Sequence, residues 1–241
     1  MLRVYTVEFT VADEAALLRR HASMPRLEAA PAPVSPEIVR VVRPHRALVV
    51  GMGPAGLFAA LHLAERGVTV TLLERGRPVE ERVGDVERFW AEGILDPASN
   101  VQFGEGGAGT FSDGKLTTRL NDPRTQLVLR ALVDCGAPER ILVEAKPHVG
   151  SDRLRRVLIE FRRRLQALGV EIRFNARLDG LECRNSRVVG GLLADGTLLS
   201  CDSLVLAPGH SARDTYEMLQ RVGVRLEAKP FALGVRVEHP A

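Results

Sequence analysis

Three glycines and one acid carry the clearest chemical meaning in this sequence. Val49-Val50-Gly51-Met52-Gly53-Pro54-Ala55-Gly56 has the spacing G-x-G-x-x-G. A strand-like run, 46–50, precedes it and a helical pattern over 54–66 follows. A second strand-like run, 68–73, ends at Glu74, 23 positions after Gly51. This context suits a turn that holds a dinucleotide. Gly51 permits the tight turn. Gly53 has no Cβ, so a pyrophosphate can approach the backbone. Gly56 lets helix and strand pack closely. The N–H groups around Pro54 and Ala55, with the helix dipole behind them, attract phosphate charge. Glu74 is placed to accept hydrogen bonds from ribose hydroxyls, and its charge disfavours a 2′-phosphate and hence NADP.

The same spacing recurs at Gly104, Gly106 and Gly109, within Phe103-Gly-Glu-Gly-Gly-Ala-Gly-Thr-Phe-Ser-Asp-Gly-Lys115. No strong strand precedes this copy, no helical pattern follows, and no acidic strand end lies about 20 residues on. It reads as a loop of exposed N–H and hydroxyl groups, suited to a flat polar ring or to phosphates. His148 and His210 are the histidines to test as proton donors. Cys135, Cys183 and Cys201 form no C-x-x-C, which argues against a disulfide framework or a zinc site, and all three are read as core residues. No metal site is expected.

The elements that must position these groups follow from periodicity. Residues 3–11 alternate like a strand and 12–22 read as a helix. Pro25, Pro31, Pro33 and Pro36 then mark a stiff linker. Residues 1–38 are therefore expected to be a small β-α appendage with its linker, and 39–241 the main domain. Within the latter, helices are expected at 54–66, 79–92, 124–134 and 151–168, and a long glycine-rich loop at 96–118. A strand is expected at 170–174, and three short strands run over 178–183, 188–193 and 197–200, with Asp195-Gly196 as a hairpin turn. A return strand at 203–207 leads into Pro208-Gly209. The last 18 residues read as strand-rich, at 224–226 and 232–238. The fold class is α/β: a Rossmann-like domain with a parallel sheet, helices on one face and a three-stranded β-meander on the other.

Composition narrows the function classes. The chain has 241 residues, a net charge of +3 and 45% hydrophobic residues, which suits a folded globular protein. Only Lys115, Lys146 and Lys229 among the 33 basic residues are lysines. The densest basic run, 153–164, carries its apolar residues on one helical face. Its arginines are therefore read as a solvated face, and no nucleic-acid partner is expected. The apolar stretch 47–61 is too short and too broken by glycines to span a bilayer, and the N-terminus lacks a signal-peptide pattern, so a cytoplasmic location is expected.

The order of fingerprint, glycine-rich loop, meander and a strand ending Leu206-Ala-Pro-Gly-His210 resembles flavoproteins of the glutathione-reductase type. More closely, the chain resembles a family of bacterial FAD-dependent dehydrogenases. The matching segments are 49–76, 86–119 (VERFWAEGILDPASNVQFGEGGAGTFSDGKLTTR), 146–152, 204–215 and 231–240. The resemblance implies FAD as cofactor and hydride transfer between flavin N5 and an organic substrate or NAD(P)H. It places Arg75 and Arg82 near the FAD phosphates or adenosine. Ala108, Gly109, Thr110, Ser112, Asp113 and Lys115 would lie beside the isoalloxazine or pyrophosphate, with Lys115 near the N1–C2 edge. Leu178 would offer backbone to the adenine, and Pro208 and Gly209 would close the site. Catalytic residues are not read from the sequence. Family members have a longer N-terminal extension and continue beyond the E-H-P segment to a late glycine-rich motif, so the chain is expected to correspond to an N-terminal half. Two alternatives stay open: a flavin-binding fragment without activity, and an NAD-dependent Rossmann dehydrogenase.

Overall fold

The structure, a computed structural model, describes residues 7, 9–30, 38–112, 114–116, 118, 122–144, 146–230 and 234. Two units divide at 37/38. The first contains helix α1 (Glu14–Arg20), whose N-cap Asp13 accepts the Ala16 N–H at 2.8 Å. Of the strand expected at 3–11, the described residues show no strand pairing, and the others lie outside the described set.

The second unit is built on β1 (Arg46–Val50), buried over four of its five residues. Such a strand needs cover on both faces, which favours a central place in a parallel sheet. It lies between β2 (Thr69–Leu73) and β7 (Ser203–Leu206), and β3 (Glu171–Arg173) extends the sheet beyond β2; every pairing is parallel. Alternation divides the side chains between two cores. Ala47, Val49, Val70 and Leu72 face α2 (Pro54–Glu65), α4 (Thr125–Asp134) and α5 (Ser151–Ala167). Leu48, Val50 and Leu73 face the antiparallel meander β4 (Leu178–Arg184), β5 (Arg187–Leu193) and β6 (Leu198–Ser200). This is the Rossmann-like layering expected from the sequence. The remaining helix of that stretch, α3 (Val79–Glu92), ends at Gly93 in the left-handed conformation (φ 72°).

One helix is added and two expectations are corrected. A helix, α6 (Arg213–Arg221), follows β7 and packs Met218 and Leu219 on the meander side of the sheet. No strand forms at 224–226, where Val224 and Leu226 are exposed and without a ladder partner. Cys183 is exposed beside the Asn185–Ser186 turn, whereas Cys135 and Cys201 are buried as expected. The strand expected at 232–238 lies outside the described residues, apart from Gly234.

Candidate cofactor cleft

A cleft of about 310 Å³ opens over the C-terminal ends of β1, β2 and β7. In an open parallel sheet this is where ligands bind. The fingerprint turn forms its floor. Gly51 has φ 99°, and a Cβ there would lie 2.2 Å from the Ala207 carbonyl oxygen. A Cβ on Gly56 would lie 1.8 Å from the Gly51 oxygen. Both glycines are demanded by the protein's own backbone. Gly53 differs: a Cβ there would meet only Gly107 Cα, at 3.8 Å, and the residue lines the cleft. Gly53 also N-caps α2 without a side-chain acceptor, and Pro54 occupies the first turn. The helix start therefore presents amide groups toward the cleft, as an anion site requires. Pro54 and Ala55 are exposed on its rim.

Glu74 is 5% exposed and lines the cleft. Its carboxylate accepts three backbone N–H groups: Met52 at 2.8 Å, Gly76 at 2.9 Å and Gly104 at 3.0 Å. One carboxylate thus ties the fingerprint turn, the end of β2 and the second glycine-rich loop. About four lone-pair sites belong to a carboxylate, so capacity for a further donor remains.

Arg75 lines the cleft but is engaged. It makes two 3.0 Å bonds to Asp214, one of 3.0 Å to the Thr215 hydroxyl, and stacks 4.4 Å from the Phe103 ring centroid. It anchors the start of α6, and together with burial it shapes Asp214, whose carboxyl sits below the usual range because the Arg75 contacts outweigh desolvation.

The structure does not place Arg82 at the phosphates. Its guanidinium is fully buried on α3 and donates to the carbonyls of Asn100, Val101 and Glu105 and to the Thr110 hydroxyl. Burial holds its pKa down to about 10. Nor does Thr110 reach the cleft, since its hydroxyl lies between Arg82 and the Glu105 carbonyl. Ser112 turns back to its own loop, donating to the Gly109 carbonyl at 2.7 Å. Lys115 is exposed and forms a backbone bridge with His148, so neither lines the cleft. Asp113 lies outside the described residues. Ala108, Gly109, Leu178, Pro208 and Gly209 do line it, as does His210.

Sequence reasoning missed Gln102, Phe103, Ala176, Ser211 and Thr215, which also line the cleft. Phe103 was legible as the residue that opens the second glycine motif. The other four reach the cleft through the packing of separate segments, which no local pattern encodes. The basic run on α5 is largely paired: Arg162 with Glu80 and Glu105, Arg163 with Glu160, and Arg164 with Glu65 and Asp134.

Comparison with known proteins agrees with this geometry. Residues 46–136 match the family model described as "DAO: FAD dependent oxidoreductase". The matched segment holds the fingerprint, Glu74 and the second glycine-rich loop. Over this segment the chain is similar to FAD-dependent oxidoreductase domains, whose cofactor is FAD. A Clostridium beijerinckii protein described as uncharacterized is 50% identical over 195 residues, covering 81% of this chain and 36% of that protein. The chain thus spans little more than a third of the length of that curated relative. Among solved structures, Thermovibrio ammonificans THI4 aligns at 18% identity over 74% of this chain and 62% of its own, with a TM-score of 0.47. The GidA-related protein of Thermus thermophilus aligns at 19% identity over 75% and 69%, with a TM-score of 0.43. Among the described residues no helix is long and apolar enough to cross a membrane.

Proposed function

We propose that this chain supplies the FAD-binding domain of an oxidoreductase that works between an organic substrate or NAD(P)H and the flavin. The observation that carries this reading is the one fingerprint glycine, Gly53, whose missing side chain opens onto the cleft, directly beside the uncapped start of α2. When bound, the flavin supplies a two-electron acceptor at N5. The protein's share is to bind and orient. The turn Gly51–Gly56 and the first amides of α2 hold the pyrophosphate. Glu74 keeps acceptor capacity for a ribose hydroxyl while fixing three loops. Ala176, Leu178, Ala108, Gly109, Pro208 and Gly209 line the rest of the cleft, and Leu178 is assigned to the adenine. His210 is the candidate of the two histidines that faces the cleft, and there it can hold a proton.

Titration of the apo-protein with FAD tests this reading. Quenching of flavin fluorescence and a structured visible band are the expected result. Uptake of NADH without uptake of FAD would transfer the assignment to a nicotinamide-dependent dehydrogenase.

A further inference from the structure

The buried charges behind the second glycine-rich loop have no part in the binding scheme above. We infer that Arg82 and Glu105 form a clamp that sets the position of the Gly107–Gly109 wall, which makes Arg82 a positioning residue for the flavin half of the cofactor. This inference rests on the FAD reading.

The wall is held from behind at several points. Arg82 gathers three carbonyls spread over 100–105 and the Thr110 hydroxyl, at 2.6–3.1 Å. Its guanidinium carbon also lies 4.9 Å from the Phe111 ring centroid. Glu105 is fully buried, and its Oε2 accepts the Val79 N–H and an Arg162 N–H, each at 2.8 Å. Its own N–H donates to the Arg77 carbonyl at 3.1 Å. The loop is thereby fixed to α3 and α5 while its other side faces the cleft.

Two glycines of the motif make room for this clamp. A Cβ on Gly104 would lie 2.4 Å from Arg82 Cδ. One on Gly106 would lie 2.3 Å from the Thr110 hydroxyl and 2.4 Å from Leu158 Cδ1. At Gly107 the wall meets the fingerprint, since a Cβ there would be 3.1 Å from Gly53 Cα. A small shift of the loop therefore alters the cleft where Ala108 and Gly109 line it, past the point where Gly107 abuts the fingerprint. Only a guanidinium, with five donors in a planar fork, can gather these acceptors at once. An ammonium offers three donors from one point.

The test compares FAD with ADP, which carries the adenosine and pyrophosphate but no flavin. Dissociation constants for both ligands, and the shape of the bound flavin's visible band, are measured for the wild type, Arg82→Lys and Thr110→Val. The expected result for Arg82→Lys is FAD binding weakened about tenfold or more. ADP binding should change by no more than about twofold, and the band should move toward that of free flavin. Thr110→Val, which removes one hydroxyl, should show the same split at about threefold; it decides the matter alone if Arg82→Lys does not fold. Equal weakening of both ligands would reduce the clamp to general stability and overturn the inference, as would unchanged binding of both. A wild type that takes up neither ligand would refute the FAD reading itself and the inference with it.

Discussion

Gly51–Gly56 and Gly104–Gly109 share one spacing, yet their missing side chains yield to different neighbours. In the first turn two glycines avoid backbone atoms, the Ala207 and Gly51 oxygens, and the third faces open space. In the second, Gly104 and Gly106 yield to the side chains of Arg82, Thr110 and Leu158, and Gly109 has nothing within 4 Å. The first turn leaves a place for a ligand. The second leaves a place for the protein's own core and presents its far side to the cleft. A glycine pattern thus states where a Cβ is absent; what fills that space depends on the surroundings.

The comparison breaks most sharply at Gly56. Gly56→Ala drives a Cβ into a backbone oxygen at 1.8 Å. It should cost about 3–5 kcal/mol in chemical denaturation. A loss below about 1 kcal/mol would mean that the turn adapts and that its geometry is not fixed.

Glu74→Gln comes next. An amide keeps one acceptor oxygen where the carboxylate serves three N–H groups, so a loss of about 1–3 kcal/mol in unfolding free energy is expected. An unchanged denaturation midpoint would show that the three loops do not depend on that carboxylate.

Glu105 sharpens the comparison through pH. Burial, only partly offset by the Val79 N–H and Arg162, raises its pKa from 4.5 to about 7. Glu80 and Glu74 act in the same direction as burial. A carboxyl raised on folding contributes stability that is full below about pH 4.5 and is lost as pH rises through about 7. Glu105→Gln cannot ionise. Its stability relative to the wild type should therefore climb between these values, by an amount on the order of 2 kcal/mol. A difference that stays constant from pH 4 to about pH 8 would show that the carboxyl does not titrate in this range.

The smallest effect on folding is expected at Gly53. Its φ is −75°, and an added methyl meets nothing closer than 3.8 Å, so Gly53→Ala should shift stability by less than about 1 kcal/mol. FAD affinity should nevertheless fall, because the methyl enters the space assigned to the pyrophosphate. Unaltered affinity in a fully folded variant would remove the phosphate from this turn.

The order of elements was legible because hydrophobic periodicity is local. The span of α3 matches expectation, and those of α2, α5 and the meander strands differ from it by one residue at one end. Helix α6 was missed although Thr215, Met218, Leu219 and Val222 have helical spacing and Gly223 follows as a left-handed stop. In the site, the fingerprint was readable because strand, turn and helix are contiguous. For Arg82 the sequence shows a charge but not its acceptors. Here three of them are main-chain carbonyls 18–23 residues away. Cys183 was misplaced for a related reason: it lies in a strand, but near a turn that leaves it exposed.

The pairing of β1 with β7 also bears on how the chain is made. Val50 pairs with Leu206, and the Ala207 N–H reaches the Val50 carbonyl at 2.8 Å. On the other side, the Gly51 N–H donates to Leu73, which is synthesised soon afterwards. Ribosomes add roughly 5–20 residues per second, so one edge of β1 waits about 8–30 seconds for its partner. For most of that interval Leu48 and Val50 also lack the meander, 178–200, that covers them in the finished fold. A nascent chain of this kind exposes an unpaired strand edge and an apolar face together, the combination that recruits chaperones and favours aggregation. The turn that opens the domain is therefore among the last parts to take its final shape.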